Sequence, residues 1–229
     1  MVGSRHDTVA TELVTRWPQS ALCSAENLVS PGWVWRNTDP GARIWVAGGN
    51  LVPDADVTGV FLRRSSVYAE ELMMVHPADR AFAAAEAHAF LTYILATTQA
   101  AVANPVIDGA FGEETVRPER LAAAASGLAI GVSSVRIASG TPRQGVSAAH
   151  MTEVVGEKTF GDAPLQVKRR SLRLAEALSM PWGIFYFDAK RQLMTATTAA
   201  RPSDAAAAAL GQLLGSRPTP DPLSASRSK

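Results

Sequence analysis

DRAFAAAEAHAFLTYILAT at residues 79–97, followed by AVANP at 101–105, RPERLAAAASGLAI at 117–130 and SSVRIA at 133–138, is the stretch that decides the fold. In its first segment Ala83, Ala87, Phe90, Leu91, Ile94 and Leu95 recur at three- and four-residue spacing, which predicts a helix over 77–98 with one broad buried face. Pro77 suits the first turn of that helix, where a missing N–H costs nothing. Residues 101–103 predict a short buried strand, closed by Asn104-Pro105. Arg117-Pro118-Glu119 opens a second helix that stops at Gly127, and residues 132–137 predict another strand. Helices alternating with buried strands give strand–crossover–strand wiring, so the fold class is α/β.

Upstream, residues 5–20 suit a short amphipathic helix, and SAENLVSPGW at 24–33 is rich in caps and breakers. Trp33, Val34 and Trp35 begin extended structure. Two apolar runs, 43–47 and 51–52, flank Gly48-Gly49-Asn50 and predict a β-hairpin. That glycine pair lacks the spaced glycines, the lysine and the following helix of a phosphate-binding loop, so it reads as a turn. A β-rich run at 57–62 ends in Arg63-Arg64, the place where α/β sheets collect ligands. The arginine pair suits an anion there, or ion pairing with Glu70 and Glu71 in solvent. Glu86 falls beside Phe82, Phe90 and Tyr93, and a carboxylate on an apolar face needs a cation, for which Arg63 or Arg64 is the expected partner.

Downstream, SGTPRQGVSA at 139–148 reads as a connector and internal boundary. Beyond it the pattern predicts a strand at 152–155, a helix at 165–178, paired strands at 182–187 and 193–198, and a last helix capped by Ser203. Lys168-Arg169-Arg170 and Arg173 read as a solvated face opposite Leu165, Leu172, Ala175 and Leu178. The final stretch holds three prolines among small polar residues and is expected to be disordered over 216–229.

Composition narrows the function classes. With 229 residues, 47% of them hydrophobic, the chain can bury a real core. A net charge of +1 carries no basic excess of the kind nucleic-acid binders show, so no nucleic-acid partner is expected. The single cysteine, Cys23, excludes an internal disulfide and a thiolate zinc cage and suits a reducing cytoplasm. No segment approaches the ~20 apolar residues of a membrane helix, and the first seventeen residues carry Asp7 and Glu12 but no signal-type apolar stretch. The protein is expected to be cytoplasmic, without a membrane partner. His6, His76, His88 and His150 are scattered without ligand spacing, and no nucleophile elbow, zincin, Walker or dinucleotide motif is present.

Together, Leu62-Arg63-Arg64 at a strand end, AAAEAHAFL at 83–91, AVANP, and RPERLAAAASGLAI before a strand resemble the pre-ATP-grasp part of ligases related to ribosomal-protein glutamate ligases and microviridin-type peptide cyclases. EVVGEKTF at 153–160 and LAEALSMPWGIFYFDAKRQLM at 174–194 are similar to the closing half of the ATP-grasp fold. The resemblance implies a pre-ATP-grasp-like, mostly parallel sheet domain over 1–138 with a linker helix, then a reduced ATP-grasp-like α+β half over 139–215. Relatives place a lysine-bearing subdomain after the strand matching 132–137, and its lysines hold nucleotide phosphates; here residues 138–150 contain no lysine. Relatives also end their last strands with an acid and then Glu-x-Asn, whose oxygens bind magnesium. In this chain Phe187-Asp188 is followed by Leu193-Met194-Thr195-Ala196-Thr197, which keeps at most Asp188.

The chain therefore resembles a shortened, degenerate member. Without lysine clamps and a carboxylate pair, charge developing on a transferred phosphoryl group has little to stabilise it. The expected function is that of a non-catalytic accessory or partner-binding protein with no cofactor, working with a true ATP-grasp ligase in peptide or small-molecule modification. Arg63, Arg64, Arg117 and Arg120 are its candidate anion or ligand contacts. The alternative is an active ATP-dependent carboxylate-amine ligase with a reduced site, using ATP and magnesium, with Arg63, Arg117, Arg120 and Asp188 on phosphates and metal. Self-association or a protein partner is expected in the first case. Trp33, Trp35, Trp45 and Trp182 could anchor such an interface, although each also suits the core.

Overall fold

The computed structural model describes residues 1–104, 116–133 and 148–215. The expected tail at 216–229, most of the connector at 139–148 and the distal part of the strand at 132–137 lie outside the described residues. Among those described, six α-helices and eight strands form a mixed α/β molecule.

The first helix, α1 (Thr8–Arg16), starts where Asp7 Oδ1 accepts the backbone N–H groups of Val9 and Ala10 at 2.9 and 3.1 Å, satisfying donors that a helix start leaves open. A single turn of helix, α2 (Ala25–Leu28), follows Ser24. Strands β1 (Ile44–Ala47) and β2 (Asn50–Pro53) pair antiparallel around Gly48 and Gly49, whose φ angles of 57° and 78° suit the primed turn that a two-residue hairpin prefers. Beneath it lies a buried polar knot. Asp54 accepts from Trp45 Nε1 at 2.7 Å and from the Thr98 hydroxyl at 2.9 Å, with Arg43 Nη1 3.9 Å from its second oxygen.

Strand β3 (Gly59–Phe61) pairs parallel with β4 (Ala101–Ala103). Val2 extends this pairing through parallel bridges to Leu62 on one side and Cys23 on the other. The crossover between β3 and β4 is α3 (Arg80–Thr97), which buries Ala84, Ala87, Leu91, Ile94 and Leu95. The helix begins three residues later than Pro77 suggests. Asp79 N bonds to His76 O at 2.9 Å, and Arg80 Nε donates to Val75 O at 2.9 Å, so the proline sits in a turn ahead of the helix.

An antiparallel sheet with its helices completes the molecule. The helix α4 (Pro118–Gly127) and α5 (Leu165–Ala177) pack near an antiparallel sheet of order β6-β5-β7-β8, built from β5 (His150–Val155), β6 (Lys158–Phe160), β7 (Trp182–Phe187) and β8 (Leu193–Thr197). Val132 makes a parallel bridge to Leu193, which is the described part of the strand expected at 132–137. The last helix, α6 (Asp204–Gly215), is capped by the Ser203 hydroxyl and lies against both sheets. Its approach to β3 is so close that a Cβ on Gly59 would stand 2.4 Å from Leu214 O, so no other residue fits there without displacing the helix.

Three apolar clusters result. One joins the hairpin, the Val2 segment and α3; a second lies between α4, α5 and the antiparallel sheet; a third gathers Leu13, Phe61, Ala103, Trp182, Ile184 and Leu210 from all parts of the chain. Trp45 and Trp182 are buried core, and the half-buried Trp33 and Trp35 pack against Trp45, tilted and edge-on, at 5.7 and 5.5 Å between centroids, so these tryptophans serve the interior. Leu165, expected on the buried side of α5, is 63% exposed. No helix among the described residues is long and apolar enough to cross a membrane.

Candidate functional site

The parallel strands end together, and each is followed by polar residues: Ser4 after the Val2 segment, Arg63 and Arg64 after β3, and Asn104 after β4. A cleft of about 490 Å³ opens at this edge, walled by Ser4, Asp7, Arg63, Arg64, Ser65, Ser66, Tyr68, Glu70, Glu71 and the Thr198-Ala199 segment beyond β8. Open α/β sheets bind ligands at this end because loops leave the strands there and splay apart.

Arg63 holds the cleft together. Its Nε donates to Asp7 Oδ2 at 2.8 Å and its Nη2 to Ala199 O at 2.9 Å, and its side chain is almost wholly buried. Asp7 thus caps α1 and neutralises Arg63 at once, tying the start of the chain to the loop after β8. Arg64 is built differently. Its Nε donates to Ser66 O at 2.8 Å and its Nη2 pairs with Glu71 Oε2, which also accepts from Tyr68 N at 3.2 Å. Its third nitrogen, Nη1, is buried without a partner, an arrangement that costs about 1–3 kcal/mol. Asn104, in the left-handed region at φ 62°, donates from Nδ2 to Leu62 O at 3.3 Å, while its Oδ1 has no partner.

The four arginines expected to act as anion contacts divide into two places. Arg63 and Arg64 wall the cleft; Arg117 and Arg120 are not among its lining residues. Arg117 stands exposed before the first residue of α4, and Arg120 Nη2 donates to Leu178 O at 2.6 Å, bracing α4 on the end of α5. Asp188 Oδ1 accepts from Gln192 N at 2.8 Å and closes the turn between β7 and β8. Among the described residues no group of three or more His, Cys, Asp or Glu is placed to hold a metal ion.

Glu86 is a correction. It lies exposed on α3, and the cations expected to pair with it face Asp7 and Glu71 instead. Pairing of the arginines with the Glu70-Glu71 segment was anticipated, but as a solvated contact; the Arg64–Glu71 pair is buried. Asp7, Ser4 and Thr198 were invisible as site residues, since nothing in their spacing relates them to Arg63. The only local signal was the cap signature of Asp7. Cys23 lies buried at the end of its parallel segment, and burial pushes its thiol up to about 12, against the weaker downward pull of the amino terminus and Arg64.

No protein-family model matches the chain, and no curated protein matches it. Solved structures do. The macrocyclase MdnC from Microcystis aeruginosa MRC, bound with precursor peptide MdnA, superposes with a TM-score of 0.66 at 10% identity, covering 93% of this chain and 97% of that one. The ATP-grasp ligase PsnB complexed with minimal precursor, Mg and ADP gives 0.58 at 12% identity over 87% and 88% of the two chains. PsnB with precursor peptide PsnA2 and AMPPNP gives 0.56 at 13% identity over 93% and 94%. Likeness of this extent at such low identity establishes architecture, and the chain accordingly has an ATP-grasp-like fold.

Proposed function

We propose that the protein is a non-catalytic, degenerate relative of the ATP-grasp ligases that binds a peptide or protein partner and works beside a true ligase in peptide modification. In this reading residues 1–138 are the pre-ATP-grasp-like domain, 139–215 the reduced second half, and the protein is cytoplasmic with no cofactor of its own. The observation that carries it is Asp188. The one carboxylate matching the family's magnesium-binding acids is engaged in a turn with Gln192, and Arg120 is engaged with Leu178 O, so both serve the scaffold. The lysine-free sequence at 138–150 points the same way. The fold-mates MdnC and PsnB were captured with precursor peptides, which makes a peptide the partner class to test first. Met73, Met74 and Phe82, exposed by 62%, 59% and 71% around the start of α3, supply apolar surface for a partner.

Calorimetric titration with magnesium-ATP tests the reading. The expected result is no saturable binding; a dissociation constant of ~100 μM or tighter, about −5.5 kcal/mol, would overturn it in favour of an active ligase. Light scattering and affinity capture from the native cell complete the test. A monodisperse monomer of 24.2 kDa that recovers no partner would remove its support.

A further inference from the structure

We infer that the outward face of α3, with Met73 and Met74 beside its start, is a docking surface for a basic amphipathic helix of the peptide partner. This surface presupposes the peptide-partner reading above, and gives that partner a place and a chemistry.

The face is built like an interior. A helix at a protein surface turns charged residues to solvent, whereas one that is apolar all round is ordinarily covered. Outward on α3 stand Ala81, Phe82, Ala85, Glu86, Ala89 and Tyr93, with a single charge among them. The helix α5 follows the ordinary rule, exposing Gln166, Arg169, Arg173 and Glu176 beside Leu165. Nine large hydrophobic residues are exposed among those described, and five of them, Tyr68, Met73, Met74, Phe82 and Tyr93, fall within residues 68–93. The fold gathers them. Arg80 donates from Nη2 to Met73 O at 3.3 Å and from Nε to Val75 O, so the methionine segment is tied to the first turn of α3, and the single turn Ala69–Glu71 packs on the same helix. Unbranched methionine side chains adapt to a partner's shape, as surfaces that receive peptide helices require.

Spacing gives the occupant its form. Phe82, Glu86, Ala89 and Tyr93 follow one another at four, three and four residues, along one stripe about 16 Å long at ~1.5 Å per residue. Ala81, Ala85 and Ala89 lack bulk, so a second helix can lie close to α3 between the rings of Phe82 and Tyr93.

Charge gives the occupant its sign. Glu70, Asp79 and Glu86 are exposed on or beside this face, and none of them has an ion pair among the described residues. Glu71 is neutralised by Arg64, and Arg80, the one cation on α3, is turned to backbone carbonyls. Three acids against Arg80 leave an excess of two negative charges, on a chain whose net charge is +1. Lysines or arginines flanking a partner's apolar stripe would meet these carboxylates, and acids there would be repelled. The same face of a second copy brings the same acids and no free cation, so charge favours a different chain.

The test is fluorescence anisotropy with two labelled, capped helical peptides of about four turns, one carrying leucine on one face and lysine on the other, the second carrying glutamate in place of lysine. With the full chain the lysine peptide should bind saturably, with a Kd on the order of 10 μM, and the glutamate peptide roughly tenfold more weakly. Phe82→Gln should weaken the lysine peptide about tenfold, and Glu86→Lys about fivefold while favouring the glutamate peptide. Both positions are exposed, and circular dichroism should show both variants folded as the wild type is. If either fails to fold, Met73→Gln, ahead of the helix, carries the same expectation as Phe82→Gln. No binding of the lysine peptide, equal affinity for the two peptides, or affinity unmoved by Phe82→Gln overturns the inference. Self-association of the wild type that Phe82→Gln abolishes also overturns it, by giving the face to a second copy. A partner recovered from the native cell equally by wild type and Phe82→Gln would sink this surface and keep the accessory reading. Lysine-peptide binding at this face in a chain that also binds magnesium-ATP tightly would do the reverse.

Discussion

Replacing Asp54 by alanine strikes a buried carboxylate that serves Trp45, Thr98 and Arg43 at once. Asp54 and Arg43 are each only 6% exposed, and the Asp54 side chain is the sole acid facing Arg43 among the described ion pairs. In Asp54→Ala, Arg43 keeps Thr97 O at 2.7 Å and weaker contacts to Arg36 O and Asn37, so its charge remains hydrogen-bonded but loses its counter-ion. Removing one partner of a buried pair costs about 3–5 kcal/mol, and those surviving acceptors place Arg43 at the low end, ~3 kcal/mol. The indole N–H of Trp45, 3% exposed, is orphaned as well and adds ~1 kcal/mol. The expected total is about 4 kcal/mol, a large share of the ~5–15 kcal/mol that holds a typical domain folded. Asp54→Asn keeps an acceptor for Trp45 and Thr98 and should cost about half as much. Urea unfolding followed by tryptophan fluorescence measures both, with an unchanged slope confirming that stability alone has moved. A loss below ~1 kcal/mol in Asp54→Ala would show the knot to be a solvated contact and refute the argument.

Glu86→Ala should cost under ~1 kcal/mol in the same assay, because the carboxylate stands in solvent; a loss of ~3 kcal/mol or more would restore a buried partner. Cys23 should resist alkylation at pH 8 in the folded chain and react freely in urea, and fast labelling under native conditions would refute its burial. The thiol is raised when folded, so its stabilising neutral form is fully favoured below the unfolded value of 9.0 and is lost as pH rises towards about 12. Alkaline destabilisation over that window should therefore shrink in Cys23→Ala, as denaturant midpoints at several pH values would show.

Local signals were the legible part of this fold. The Gly48-Gly49-Asn50 turn, the strand Ala101–Ala103 and the strand Trp182–Phe187 stand where the sequence puts them, since turn chemistry and apolar runs are properties of a few neighbouring residues. Strand β6 was missed because Lys158-Thr159-Phe160 is too short for any alternation to register, and only pairing with β5 makes it a strand. Val2 gave no signal at all, a lone apolar residue whose place in the parallel pairing depends on Leu62 and Cys23. The site was half legible. Arg63-Arg64 could be placed at a strand end from pattern, but Arg63 chooses Asp7 across 56 residues of sequence, and no spacing rule reaches that far. Glu86 misled because its neighbours Phe82 and Tyr93 look apolar in sequence yet themselves face solvent at 71% and 39% exposure.

The third apolar cluster crosses the sequence stretch that best suits a boundary. Leu13, Phe61 and Ala103 lie on one side of residues 139–148, and Trp182, Ile184 and Leu210 on the other, all in one buried group. Neither fragment of a chain cut in that stretch could cover Phe61 or Trp182 by itself, and the T-shaped contact between these two rings, 6.4 Å between centroids, would be shared by separate polypeptides. The two pieces therefore behave as halves of a complementation pair: cleaved at an introduced protease site within 139–148, the protein should still elute from a sizing column as one particle, and the halves should part only in denaturant.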